Sequence, residues 1–249
     1  LQWNGAGWDV LYKGKTPKTI KWTPPVEGYY AFCGQVINQN GDIVDDRTIN
    51  ISPSNFKKNG WYYENGYKFY YINGVKQLDL DNIIGFQSSY VAKINRKTCT
   101  VTIYASDGAN GYIIPVKRFA CSVGLPATPT PLGTFNTIEK MRWGMLMGPS
   151  WGQYCTRIVG GILFHSVAGS TKSIYNLNPA NYNMLGYPAS HGCVRLCVKD
   201  AKWIYDHCKL GMQVTIYDSP DPGPLGRGPV YRITNPNQNW DPTDPEVNR

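Results

Sequence analysis

Ala189-Ser190-His191-Gly192-Cys193-Val194-Arg195-Leu196 is the stretch on which the interpretation of this chain turns. A thiol attacks as the thiolate, so it needs a base or a positive charge close by. Only three histidines exist, His165, His191 and His207, and two of them lie in polar, Gly-containing surroundings near Cys193. Gly192 lets the backbone approach a substrate carbonyl closely. Amide N–H groups beside a nucleophile can then hold the oxyanion that forms on attack. A Cys preceded by Gly and His is therefore a sensible acyl-transfer site. Most cysteines, however, are small buried hydrophobes, and His191-Gly192-Cys193 by itself leaves both readings open.

Downstream of this stretch, Val198 to Lys209 reads as a helix. Ala201, Ile204, Tyr205 and Cys208 recur at helical spacing and Gly211 follows as a stop signal. Val214 to Tyr217 reads as a closing strand. Residues 219–249, rich in Pro, Gly, Asn and Asp, read as an extended tail and not as a core element. Upstream, regular strands are expected at Val91–Tyr104 and Tyr112–Val123, flanking a turn at Asp107–Gly111. Further strands are expected at Gly133–Ile138 and Gly161–Phe164. A turn centred on Asn110 would set Cys99 opposite Cys121, as a cross-strand pair or, more commonly, as two facing small hydrophobes.

The N-terminal part has a different texture. Gly28–Ile37 is strand-like, Asn38–Asp42 reads as a turn, and Ile43-Val44 restarts a strand, like one hairpin of an immunoglobulin-like sandwich. Between 59 and 78, Asn-Gly recurs at 59, 65 and 73 with aromatic runs between. Asn-Gly supplies the positive φ that tight hairpins need. This run resembles one unit of the aromatic repeats of Gram-positive wall-binding modules. A single unit cannot bury its own face, so a linking hairpin is the better reading. The division is 1–52, a β-rich segment; 53–87, an aromatic hairpin; 88–218, the main domain; and 219–249, the tail.

Composition narrows the function classes. With 18 Tyr, 8 Trp, 26 Gly and 18 Pro in 249 residues, the profile is that of many short strands joined by turns. The net charge of +8 favours acidic partners. No block of basic residues and no nucleic-acid motif is present, so nucleic acid is not expected and an anionic wall polymer remains open. No apolar run is long enough for a transmembrane helix. The chain starts at Leu1 and not at Met, and is read as a trimmed or mature segment. Of the seven cysteines, six remain when Cys193 is set aside, with 15 possible pairings. Sequence alone does not choose among these pairings, and full reduction is equally compatible with it. The spacing of His191, Cys193 and Cys197 matches no standard zinc site.

The compound pattern carries a resemblance. His165, then a spacer, then Ser190-His191-Gly192-Cys193-Val194-Arg195 resembles the signature of the L,D-transpeptidase (YkuD-type) catalytic domain, a cell-wall enzyme family. Thr130-Pro131-Leu132-Gly133-Thr134-Phe135 is similar to the family's strand start, and Ile162-Leu163-Phe164-His165-Ser166 to the strand that presents the base. The resemblance covers residues 88 to 218, about half the chain. It implies a mainly β, sandwich-like domain with one principal helix, preceded by small β segments. It also implies Cys193 as nucleophile, His165 as general base and acid, and the Ser166 carbonyl as the group orienting the imidazole. His191 would line the site, with amides from His191 to Cys193 as the oxyanion pocket. Gly192, Ser190 and, as a pocket wall, Tyr154 would contact substrate, and Arg195 would hold nearby backbone or a substrate carboxylate with its guanidinium fork; a core aromatic is the plainer reading of Tyr154.

By the same resemblance the reaction is 3→3 cross-linking of peptidoglycan stem peptides through a thioester. It takes place outside the cytoplasm, in the cell wall or after secretion, without a cofactor and with carbapenem β-lactams as inhibitors. One departure is the 24-residue spacer between His165 and Ser190, longer than is usual in the family. It suggests an enlarged, lid-like loop and leaves His191 as a second candidate base. Cys197 reads as a helix-cap or core residue, and His207 as a surface residue at the helix end, where positive character suits the dipole. A papain-like order, Cys before His, does not fit, because His165 precedes Cys193. An L,D-carboxypeptidase and a non-enzymatic wall-binding protein remain as rivals.

Overall fold

The computed structural model describes residues 1–3, 8–15, 19, 30–51 and 57–247. It divides into two compact units, Leu1–Gly60 with Tyr71–Lys76, and Trp61–Tyr70 with Gln77–Arg249.

In the first unit, β1 (Gln2–Trp3), β2 (Trp8–Asp9), β3 (Tyr30–Ile37) and β4 (Ile43–Ile51) form a sheet in the order β2-β1-β3-β4. The β3–β4 hairpin closes where Asn38 Oδ1 accepts hydrogen bonds from the Asn40 and Asp42 amides, both at 2.9 Å. An Asn side chain that imitates a backbone acceptor is what nucleates such turns. Gly28 and Tyr29 of the strand-like run lie outside the described residues.

Next come β5 (Gly60–Glu64), β6 (Tyr67–Ile72) and β7 (Val75–Lys76). Their turns at Asn65-Gly66 and Asn73-Gly74 have positive φ at both residues, 50° and 80°, and 50° and 82°. This is the geometry that selects Asn-Gly. Within the second unit, Tyr67 stacks on Tyr104 with centroids 5.8 Å apart, and Lys68 pairs with Asp107 at 2.6 Å.

The second unit is mainly β. After a short helix α1 (Asp81–Ile84) come β8 (Tyr90–Asn95), β9 (Thr100–Ala105), β10 (Ile114–Ala120), β11 (Gly133–Asn136), β12 (Glu139–Leu146), β13 (Ser150–Val159) and β14 (Ile162–Ser166). Then follow α2 (Pro179–Tyr182), β15 (Val194–Leu196), α3 (Val198–His207) and β16 (Gln213–Tyr217). One sheet has the order β10-β9-β8-β16-β11, the other β12-β13-β14-β15. Ile94, Val101, Ile103, Val214 and Ile216 from the first sheet share one core with Ile158, Phe164, Val194 and Leu196 from the second and with Ala201 and Ile204 of α3. The fold is thus a β-sandwich with one principal helix, as the motif implies.

Four expectations need correction: the strand at Val91–Tyr104, the C-terminal tail, the lid-like loop and the surface role of His207. Val91–Tyr104 is not one strand. Asn95 Oδ1 accepts from Lys97 N at 3.1 Å and Cys99 takes φ 50°, so the chain turns and β8 and β9 pair with each other. Cys99 and Cys121 do face each other, with Cys121 N donating to Cys99 O at 2.9 Å, and both are unbonded, buried thiols.

Residues 219–247 are irregular but packed. Leu225, Ile233 and Val247 are buried, and Asp241 Oδ2 accepts from Val198 N at 2.7 Å while Thr243 Oγ1 accepts from Lys199 N at 3.2 Å. The C-terminal segment therefore caps α3. Cys197, at the N-cap position, is a buried thiol that makes no capping bond. A carboxylate at a helix N-terminus satisfies an orphan donor and complements the dipole.

The long loop after β14 is half anchored. Asn178 caps α2, and Leu177, Tyr182 and Leu185 form a second apolar cluster with Val167, Cys197 and Ile233. Its first part, 170–176, is largely exposed and contributes nothing to that cluster. His207 is half-buried, its ring stacked on Phe86 at 3.7 Å, and burial lowers its pKa, so it does not supply the expected surface charge.

Candidate active site

β14 and β15 are parallel neighbours, pairing Phe164 with Val194, His165 with Arg195 and Ser166 with Leu196. Side chains alternate along strands. Phe164 and Val194 enter the core together, and the register places His165 beside Arg195, with Cys193 two residues before Arg195 on the same face. Pairing residues 30 positions apart thus brings the two halves of the motif to one place on the sheet.

Cys193 is the one cysteine of the seven that is not buried. Its Sγ donates to the Gly161 carbonyl at 3.4 Å. Partial burial raises the thiol pKa, opposed by a Leu163 backbone hydrogen bond and by the charges of Arg195 and Arg157. The resting group is a thiol rather than a standing thiolate.

His165 is only 2% exposed. Its Nδ1 lies 2.5 Å from the Ser166 carbonyl oxygen, which can only accept, so Nδ1 carries the hydrogen and Nε2 the lone pair. Burial pushes its pKa down to about 4; the Ser166 bond works against this and the Arg195 charge adds to it. The imidazole is therefore neutral across the physiological range. Gly152 makes room for it: a Cβ there would stand 2.9 Å from Nδ1 and 3.1 Å from the His165 Cβ. Ser166 Oγ accepts from Gln153 N at 2.9 Å, tying β14 to β13 below the ring.

The turn before Cys193 is built by Ser190. Its Oγ donates to Cys193 O at 2.6 Å and accepts from Gly192 N at 3.1 Å. Gly192 has φ 116°, and a Cβ would meet Ile162 Cδ1 at 2.8 Å, so only glycine fits. Thr130 Oγ1 donates to Gly192 O at 2.7 Å and accepts from Gly124 N at 2.9 Å, which pins the turn. Three expected substrate contacts are corrected here. Gly192 spends its amide on Ser190, leaving the amides of His191 and Cys193 without a protein acceptor among the described residues. Ser190 is fully buried and shapes the turn. Tyr154 is 3% exposed, with its hydroxyl donating to Glu246 at 2.7 Å and its ring against Arg142 and Tyr205, so it is a core aromatic.

Arg195 holds backbone: NH1 donates to Ala189 O at 2.8 Å and Ser122 pairs with it on the other side. Its Nε is buried without a partner among the described residues, and its charge is felt at both Cys193 and His165. His191 is exposed at the rim. Gly152 and Thr130 were not foreseen as site residues. Thr130 lies in a motif that reads only as a strand start, and Gly152 becomes intelligible only once β13 is seen beside β14.

The model of the YkuD L,D-transpeptidase catalytic domain matches residues 89–216, just over half of the chain. L,D-transpeptidase 2 of Mycobacterium tuberculosis is 24% identical over 85% of this chain and 50% of its own length. The putative L,D-transpeptidase YciB of Bacillus subtilis is 33% identical over 45% of this chain and 59% of its own. The solved L,D-transpeptidase LdtMt1, in complex with imipenem, is 21% identical, with a TM-score of 0.42 over 52% of this chain and 59% of that one. The chain spans about half the length of the curated relatives it first matches. On its matched half, with His165, Gly192 and Cys193 set as described, the chain belongs to the YkuD L,D-transpeptidase catalytic domain family.

Proposed function

We propose that this chain forms 3→3 peptidoglycan cross-links, with Cys193 as nucleophile and His165 as base. The observation that carries the proposal is that the strand pairing of His165 with Arg195 sets a neutral, oriented imidazole two residues in register from the one unburied thiol. The thiol exchanges the Gly161 carbonyl for His165 Nε2 when substrate binds, a tightening common in occupied sites. Sulfur attacks the carbonyl of the third stem residue as its proton passes to Nε2. The amides of His191 and Cys193 are the free donors for the oxyanion. The bond to the terminal D-Ala breaks, and its nitrogen takes the proton from His165. The side-chain amine of a second stem then attacks the thioester, gives a proton to His165, and releases Cys193 as the thiol. Arg195 steadies the negative charge developing on sulfur and adds to the burial that keeps His165 neutral beforehand.

Family membership supports this reading of the substrate class, a location outside the cytoplasm and acylation of Cys193 by carbapenems. The net charge of +8 suits an anionic wall environment. Intact mass after incubation with a carbapenem tests the nucleophile: one adduct is expected on the parent chain and none on Cys193→Ala. Product analysis with stem tetrapeptides, with and without an acceptor amine, tests the transfer. Release of D-Ala with water as the sole acceptor would make the chain an L,D-carboxypeptidase. An unmodified Cys193 with wall binding intact in Cys193→Ala would make it a binding protein.

A further inference from the structure

Strand β10 is the edge of its sheet, and the C-terminal segment lies along it. At Gly228 the approach is so close that a Cβ would stand 2.3 Å from Ala120 N. Beyond it, Arg232 NH1 donates to Leu185 O at 3.0 Å, at the corner that carries Gly186 and Tyr187. Between strand edge, corner and segment is a cavity of about 100 Å³. None of Cys193, His165, His191 and Arg195 lines it.

Three of its features point to an anion. Arg227 is fixed by its Nε, which donates to Thr98 O at 3.1 Å, and Arg232 by the bond to Leu185. Neither has a carboxylate partner among the described residues, whereas Arg96, Arg142 and Arg157 each do. The third feature is Thr98, a residue of the cavity lining that is 8% exposed and whose Oγ1 has no hydrogen-bond partner among the described residues. A buried hydroxyl left unsatisfied destabilises the fold and calls for an explanation.

We propose that this cavity binds a phosphate group. Two anchored guanidinium groups on different parts of one segment bring two positive charges, and the Thr98 hydroxyl adds a donor from the strand turn. A tetrahedral dianion presents acceptors in several directions and can take all three, whereas a carboxylate offers its acceptors in one plane and a single charge. Tyr187, 57% exposed at the rim, leaves the mouth open, so the phosphate can belong to a larger molecule.

The test is an NMR titration of the full ¹⁵N-labelled chain with inorganic phosphate at constant ionic strength, following the amides of Gly186, Tyr187 and Gly228. Saturable shifts are expected there, at least tenfold weaker in Arg227→Gln/Arg232→Gln. Thr98→Val should weaken binding several-fold while leaving the thermal midpoint unchanged or raised, because a methyl replaces an orphan hydroxyl. That variant carries the test if the double variant fails to fold. Glycerol 3-phosphate and a short poly(glycerol phosphate) then distinguish a terminal phosphate from a chain phosphodiester, and binding of either supports the site. No saturable shift, an unchanged response in both variants, or acetate binding as tightly as phosphate would overturn the proposal. So would binding of inorganic phosphate but of neither glycerol compound, which marks an adventitious ion only.

Discussion

Replacing Gly152 with Ala tests whether His165 acts from the position seen here. The added methyl would lie 2.9 Å from Nδ1 and 3.1 Å from the His165 Cβ. Ordinary carbon contacts begin near 3.5 Å, so the ring must move by about 0.5 Å. Gly152 does not have a positive φ, so Ala adds crowding without backbone strain. Overpacking of this kind costs about 1–3 kcal/mol of stability. The ring cannot move freely, because Ser166 O holds Nδ1 at 2.5 Å, so the shift is passed to Nε2 or breaks that bond. A misplacement of this order at a reacting group costs on the order of 10- to 100-fold in rate. The assay is the rate of carbapenem acylation of Cys193 by intact mass, at a temperature where thermal melts show the variant folded. Acylation within twofold of the parent would refute the reasoning and move the base role to His191.

The pH dependence follows from His165. Its pKa falls from 6.5 to about 4 on folding, so the unfolded chain takes up the proton first as pH drops. The stability this group contributes is present above pH 6.5 and lost progressively down to pH 4, by about 3 kcal/mol in all; His165→Gln should flatten that part of the denaturation profile. Asp200, raised to about 6 by burial, works with the opposite sign, so parent and variant must be compared directly. The base limb of the acylation profile should likewise fall near pH 4 instead of pH 6.5, read from rates between pH 3.5 and 8. At the helix cap, Asp241→Ala should cost about 1–2 kcal/mol in urea denaturation, and Asp241→Asn, which keeps an acceptor for Val198 N, clearly less.

Local sequence was informative where structure is local. The Asn-Gly pairs at 65 and 73 specify their own turns because few other residues accept two successive positive φ values. Helix α3 is legible from its apolar spacing, since 3.6-residue periodicity is written into adjacent residues. Ser190-His191-Gly192-Cys193 marks the site because a close-approach glycine beside a thiol is a chemical requirement before it is a tertiary one.

What remained hidden depends on contacts between distant segments. Leu225, Ile233 and Val247 are buried without any period, so the C-terminal segment reads as a tail until the edge of β10 and the start of α3 are seen beneath it. The turn at Asn95–Cys99 is masked by the apolar strands on both sides. Residue order alone makes Cys193 and His165 candidates. Their relation was decided by the parallel pairing of β14 with β15, by the burial that holds the imidazole neutral, and by Gly152 on a third strand. Desolvation and steric room are properties of a neighbourhood, and that neighbourhood exists only once the chain has folded.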